Sequence, residues 1–490
     1  MSDDRQLVRR GDLVLRPDDR RVLALPFLPG QELPQHGISR AEAVIERLSG
    51  MSDEDVSRTL AATLEAFSER HHDLRAIFRE HFGLIAHRLP DSNRVSQERS
   101  ELMGAYLTQE FAIEAAALFN PSIIEHPDQD GVGPGAVRFI MSVRAVGEGH
   151  LSSIEFRTGI LTADGGVELD EPGTRLTTGR ATPIQMSTDF LREALDEGGD
   201  AFTAESVLRQ LPARFTPDQL ESVLASIEQD RNGWNRHDGL IERIRRVAAS
   251  CYELTFPPGR DLSECVIRPS SAAESHGLED ARFVRFVAED GSVTYYATYT
   301  AYDGSAIAPH LLRTDDFTSF SIRQQIGPAA KNKGMALFPR HIRGQFWSLS
   351  RWDRESISVA TSPDALRWGR PVTVQRPRRP WEMIQLGACS SPLETDRGWL
   401  VFTHGVGPMR TYSIGAILLD LDDPTVVLGV LPEPLLTPDA DERNGYVPNV
   451  VYSCGALVHG RSVVLPYGCS DSSIRFAFVD LPGLLDRLTS

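Results

Sequence analysis

Glu279 and Asp280 stand side by side in the run Glu274-Ser275-His276-Gly277-Leu278-Glu279-Asp280-Ala281-Arg282, with an arginine two residues on. Paired carboxylates beside a guanidinium can divide the labour of glycoside chemistry. One faces a sugar while the arginine locks the other. The same residues also read as a capped turn with a surface ion pair. Further along, Lys331-Asn332-Lys333 precedes the apolar stretch Gly334-Met335-Ala336-Leu337-Phe338-Pro339. A lysine entering a buried strand is either a solvated edge residue or an anion ligand. His404 ends one β-type run, Tyr412 opens the next, and Asp471 holds a comparable place after Tyr467-Gly468. Taken together, Lys333, His404 and Tyr412 supply a cation and two neutral donors, a set that suits an oxyanion such as phosphate. Trp381, Tyr299 and Tyr302 offer sugar-stacking faces, although aromatics in β-rich proteins usually pack in the core.

These residues need a scaffold that gathers strand ends. Five β-type runs each follow a glycine-marked turn: 136–143, 292–300, 345–350, 399–403 and 461–467. The last four glycines, Gly291, Gly344, Gly398 and Gly460, are 53, 54 and 62 residues apart, which is about one four-stranded propeller blade each. The first interval, from Gly135, is 156 residues, one blade plus an insertion. A second element repeats in step at 154–164, 311–316, 357–364 and 414–423, each a short strand running into a Thr, Ser or Asp turn. Five repeats predict a five-bladed β-propeller, whose axis would bring successive strand ends together. A β-sandwich is the alternative, but it does not require near-equal spacing.

Two regions break the β pattern. Residues 1–30 read as extended segments, and 39–119 turn helical, with capping boxes at Ser39/Glu42 and Ser52/Asp55 and an apolar face of Val56, Leu60, Leu64 and Phe67. A third helix is expected over about 96–118. Helical signals return over 187–252, where Thr216-Pro217 with Gln219 marks a helix start. The domain reading is therefore an extended and helical region over 1–118 and a first blade over 119–170. A helical insertion over 171–255 packs with the N-terminal helices, and the remaining blades occupy 256–490.

A net charge of −17 argues against a nucleic-acid surface. Cys251, Cys265, Cys389, Cys454 and Cys469 are odd in number with no CxxC pair, which fits reduced thiols better than disulfides or zinc. No apolar run approaches a membrane span, and no signal-peptide core is visible, so a cytoplasmic location is expected. Nucleotide-loop, serine-hydrolase and zinc-protease motifs are missing, and the 13 histidines show no metal-ligand spacing.

The stretches Phe119-Asn120-Pro121, Gly277 to Arg282, Tyr296 to Ala301, Lys333 to Pro339, Leu386-Gly387-Ala388, Gly398 to Gly405 and Gly445 to Val451 occur in order through every repeat. Over roughly half its length the chain thereby resembles glycoside hydrolase family 130, the β-mannoside phosphorylases and related mannosidases. The resemblance implies a five-bladed propeller and inverting cleavage of a β-mannoside. Asp280 matches the general acid, which delivers its proton through the 3-hydroxyl of the mannose. Inorganic phosphate, a co-substrate with no further cofactor or metal, attacks from the opposite face to give α-mannose 1-phosphate. Lys333, His404 and Tyr412 match the phosphate cradle, and Arg144 a family arginine near mannose and phosphate. Asn120 and Asp471 match positions that hold the sugar, and Glu279 and Tyr299 join the substrate-binding candidates. Ala281 replaces a usual proline. A second phosphate arginine is expected near Arg313-Thr314-Asp315-Asp316, where Asp315 would repel the anion. A β-mannosidase using water and a non-catalytic carbohydrate-binding propeller therefore stay open. The substrate partners expected are a β-mannoside, or mannose 1-phosphate with an acceptor sugar, and the extra helices predict a homo-oligomer.

Overall fold

The computed structural model describes residues 7–30, 39–87, 89, 95–196, 201–229 and 238–490. The chain divides into two compact units. The larger comprises residues 1–17, 116–172 and 178–490, and the smaller residues 18–115 and 173–177.

The larger unit is built from five antiparallel groups of strands. The first group is Ala117–Glu125, Val137–Val146, Ser152–Leu161 and Val167–Leu169, and the second is Gly277–Val287, Val293–Tyr302, Ile307–Thr314 and Ser319–Gln324. One parallel pairing, Gly277 with Ser152, joins these two, and with Tyr252–Thr255 and Arg180–Pro183 added beyond Ser319–Gln324 they form a ten-stranded sheet. The third group is Ala336–Leu337, Phe346–Ser350, Ile357–Ser362 and Val372–Gln375. The fourth runs Gln385–Ala388, Gly398–Val406, Tyr412–Leu419 and Val427–Val430. The fifth contains Val451–Tyr452, Ser462–Cys469 and Ser473–Asp480, and takes its outer strand, Val8–Leu15, from the N-terminal end of the chain. All five glycine-marked runs are second strands of these groups, and the second repeated element supplies third strands in the first four.

The strand Val8–Leu15 corrects the expectation that 1–118 is one region. Without it the edge of Ser473–Asp480 would present unpaired backbone groups, which sheets avoid. Val8 pairs with Val479 and Leu15 with Ile474, so this segment belongs with the sheets.

The smaller unit holds the helices Arg40–Ser49, Asp53–Phe67, Leu74–Ala86 and Gln97–Ala105 and a two-stranded sheet. The capping box at Ser39 and Glu42 forms as expected, and Ser52 accepts from the Asp55 backbone. Val56 and Leu60 are buried, whereas Phe67 is exposed. The helix expected to continue to 118 stops at Ala105, and Thr108–Ala112 pairs instead with Val22–Pro26. Gly104 marks a close approach near the helix end: a Cβ there would meet the Phe78 carbonyl oxygen at 1.8 Å, so the two helices touch backbone to backbone.

The insertion forms Thr188–Asp196, Ala201–Leu208, Pro217–Gln229 and Asp238–Ala249, the third opened by reciprocal bonds between Thr216 and Gln219. Its apolar faces, including Leu191, Leu195, Leu220, Leu224 and Ile244, close over Ile326 of the sheet-bearing unit. The N-terminal helices bury a separate core around Val56, Leu60, Phe78 and Leu102. The expected single accessory layer is thus two cores, because each set of helices has enough apolar surface to bury its own.

Candidate active site

Two bulges put the acidic loop in place. Along Gly277–Val287 the register with the neighbouring strand runs Glu279 to Thr300 and then Arg282 to Thr298, so Asp280 and Ala281 face a single residue. The strand Ala117–Glu125 does the same at Asn120 and Pro121, between Phe119 and Ser122. Such bulges re-aim side chains at the ends of a ladder. Asn120 and Asp280 both take left-handed backbone angles, φ 50° and 56°, as does Asp471 at 50°. Asn and Asp tolerate that conformation better than other residues with a Cβ, yet it still costs energy and clusters at functional sites.

These bends converge on a cleft of ≈ 260 Å³ whose lining includes Asn120, Arg144, Asp280, Lys333, His404, Tyr412 and Asp471. Asn120 donates from Nδ2 to the Asp280 carboxylate. Arg144 donates to Glu279 at 2.8 Å and stands 3.5 Å from Asp280, while Lys333 binds the other oxygen of Glu279. Glu279 therefore has both its oxygens engaged by cations. Arg282 is buried behind the loop, donating to the Asp280 carbonyl at 2.9 Å, to the Tyr452 hydroxyl at 2.7 Å and to the Ala388 carbonyl at 3.3 Å. It fixes the backbone that carries Asp280.

Electrostatics separate the two carboxyls of the cleft. Burial pushes the Asp280 pKa upward, but Arg282, Arg144, Lys333 and Arg351 outweigh it and hold the group below the usual carboxylate range. Asp471 makes no ion pair among the described residues. Burial, helped by the Asp280 charge and only partly opposed by Arg144 and Arg410, raises it to about 6. Burial, with Arg351 and Arg282 adding, holds His404 neutral, well below the ordinary histidine value.

Tyr299 is not in the cleft. Its ring lies in the core between the first two strand groups, and its hydroxyl donates to buried Glu274. Trp381 packs over Gly405 and Gly415 and donates to the Pro432 carbonyl, and Tyr302 donates to the Gly304 carbonyl, so neither lines the site. Arg313 and Asp315 form an exposed ion pair at 3.3 Å and do not reach the cleft either. An arginine that does line the cleft is Arg351, just beyond the strand Phe346–Ser350, which donates to Nε2 of His404 at 3.2 Å. His404 thus accepts there rather than donates. Arg410, Gln385 and Tyr452 also line the cleft without having been singled out in the sequence. Their shared signal is position: Arg351 follows the second strand of its group, Arg410 precedes a third strand, Gln385 opens the first strand of its group and Tyr452 ends the first strand of its own. Among the described residues, the Nε atoms of Arg144 and Arg351 and Oδ1 of Asn120 are buried without a protein partner. Among the described residues no group of His, Cys, Asp and Glu is arranged to hold a metal ion.

Several known proteins are similar to this chain. Residues 260–490 match the family model described as beta-1,4-mannooligosaccharide phosphorylase. A beta-1,2-mannobiose phosphorylase of Listeria innocua is 33% identical over 228 residues, covering 45% of this chain and 62% of the relative. A 1,2-beta-oligomannan phosphorylase of a Thermoanaerobacter species is 32% identical over 232 residues, covering 45% of this chain and 74% of the relative. The solved Listeria innocua beta-1,2-mannobiose phosphorylase with bound beta-1,2-mannobiose aligns over 77% of this chain and 93% of its own, with 24% identity and a TM-score of 0.44. The chain belongs to glycoside hydrolase family 130.

Proposed function

We propose that this chain is an inverting glycoside phosphorylase, which cleaves a β-mannoside with inorganic phosphate to give α-mannose 1-phosphate, and runs reversibly. The observation that carries the reading is the cationic cluster of Arg144, Lys333 and Arg351 facing Asp280 in one cleft. A dianionic nucleophile needs such a cradle, whereas water needs a carboxylate base. Asp280 protonates the departing oxygen by way of the mannose 3-hydroxyl. Phosphate forms the new bond to the anomeric carbon from the opposite face as the old C–O bond breaks. Asn120 and Asp471 hold the sugar, and Arg351, Lys333, Arg144, Tyr412 and His404 surround the phosphate. Bound phosphate offsets the same cations that keep Asp280 ionised, so its arrival raises the affinity of Asp280 for a proton, which the carboxylate takes from solvent before donating it.

The scaffold is read as a five-bladed propeller with the cleft at one end of its axis. Support comes from a second cavity of ≈ 270 Å³, lined by Ile123, Phe283, Pro339, Ser391 and Gly455 among others. Those residues lie a few positions downstream of cleft residues in all five groups, as expected if five innermost strands run along one axis. Five free, buried cysteines fit a reducing cytoplasm, and among the described residues no helix is long and apolar enough to cross a membrane.

One observation favours a second reading, an exo-acting β-mannosidase: Asp471, raised to about 6, is a carboxyl with no ion-pair partner among the described residues that can serve as a base for water. Phosphate dependence separates the two. Cleavage of β-mannobiose is expected to require phosphate and to release α-mannose 1-phosphate. Equal rates of mannose release without phosphate would establish the mannosidase. Gly387 provides a second check, since a Cβ there would lie 2.3 Å from His404 Cε1 and 3.3 Å from an Arg351 nitrogen. Gly387→Ala is therefore expected to raise the KM for phosphate about tenfold, roughly the loss of one good hydrogen bond to a charged group. The KM for the mannoside is expected to change far less in the same steady-state measurement.

A further inference from the structure

The net charge of −17 is not spread evenly along the chain. Residues 376–384 lead into the fourth strand group, and 407–411 join its second and third strands. Together these two loops hold four arginines against one glutamate, Glu382. They also pack on each other. The Ile384 N–H donates to the Val406 carbonyl at 2.9 Å, and a Cβ on Gly407 would lie 3.1 Å from Trp381 Cα.

The single carboxylate is turned inward. Glu382 is buried, and one of its oxygens accepts the backbone N–H groups of Arg378 and Arg379 at 3.1 and 3.2 Å and the Arg379 guanidinium at 3.0 Å. Trp381 anchors the loop from the other side through its bond to the Pro432 carbonyl at 3.2 Å, and Pro377 and Pro380 restrict the backbone. A loop held this firmly leaves Arg376 and Arg378 exposed, with no ion pair among the described residues. It also leaves Met383 58% and Ile384 55% exposed, and the neighbouring loop adds Met409 at 87%.

Scattered apolar side chains on a surface are ordinary, but these three stand in two packed loops beside unpaired arginines. That combination suits an interface with anionic headgroups outside and hydrocarbon beneath. A soluble acidic polymer would satisfy the arginines and leave the apolar tips in water. The acidic remainder of the chain is repelled by the same surface, which favours approach by this edge. Charges farther than about 8–10 Å from the headgroups are largely screened at physiological salt.

We propose that this edge of the fourth group docks on an anionic lipid bilayer, with the arginines among the headgroups and Met383, Ile384 and Met409 reaching the acyl boundary. Such docking needs no membrane-spanning helix and does not rest on the β-mannoside reading. Gln385 and Arg410, next in the chain to Ile384 and Met409, line the cleft, so docking brings the cleft close to the bilayer.

The test is co-sedimentation of the full chain with phosphatidylcholine vesicles, with and without phosphatidylserine. The chain is expected to pellet with the phosphatidylserine vesicles alone, and less so as salt rises from about 0.1 M to about 1 M. Arg376→Ser with Arg378→Ser is expected to weaken that binding about thirtyfold, from about fivefold per arginine at an anionic surface. Met383→Ser with Ile384→Ser is expected to weaken it at least fivefold, roughly the loss of two buried apolar tips. Both pairs lie at the surface, so melting temperatures should match the parent; if the arginine pair melts lower, each single substitution should still cost about fivefold. Absence of pelleting, equal pelleting with both kinds of vesicle, or undiminished binding by the arginine variants overturns the proposal. Binding to polyglutamate without binding to vesicles also overturns it, and gives the patch to an acidic polymer.

Discussion

Asp280→Asn is expected to lower phosphorolysis of β-mannobiose by about 10³-fold or more, within the range supplied by a positioned general acid. The fold should survive. Asn adopts the left-handed angle that position 280 requires, and the Arg282 bond to the backbone carbonyl of 280 is unaffected by the change of side chain. The carboxylate's lowered pKa means that it stabilises the protein above about pH 4, and that this contribution fades as pH falls through the depressed value. The variant should therefore be modestly less stable at pH 7 and match the parent in strong acid. A dinitrophenyl β-mannoside distinguishes acid catalysis from general damage. Its leaving group departs without a proton, so the variant should retain much more of its activity on that substrate. Equal losses on both substrates would assign Asp280 a role in binding or packing.

The sequence made much of this arrangement legible because strand repeats carry a countable period. Every glycine-marked run became a second strand, and Asp280, Lys333, His404, Tyr412 and Asp471 came together around one cleft. Tyr299 was misread for a plain physical reason. An aromatic in a strand faces either side of the sheet, and its buried acceptor, Glu274, is 25 residues away in the chain. Arg351 and Arg410 were missed because an arginine after a strand or in a turn is ordinary in sequence. Only the packing of five groups shows which of the chain's many arginines meet an acidic loop. Gly104 and the end of the helix at Ala105 were equally hidden, since backbone-to-backbone contact leaves no periodic trace.

Asp471→Asn is expected to stabilise the protein at neutral pH by about 2 kcal/mol while impairing its activity. The side chain lies at the turn Cys469 to Ser473, where burial and the Asp280 charge raise it from 3.8 to about 6, against the pull of Arg144 and Arg410. A carboxyl whose folded pKa lies above its unfolded one destabilises the native state once it ionises. That cost is absent below about pH 4, grows between about 4 and 6, and is complete above, so removing the charge has an effect only in the upper range. The full shift corresponds to about 3 kcal/mol, and the partial exposure of the side chain reduces it. Denaturant unfolding at pH 4 and pH 7.5 measures the difference directly. A gain at pH 7.5 that vanishes at pH 4 supports a carboxyl held at energetic cost for the sugar, as sites that trade stability for function do. An equal change at both pH values would mean that the asparagine acts through packing, and that the charge of Asp471 is compensated in the cleft.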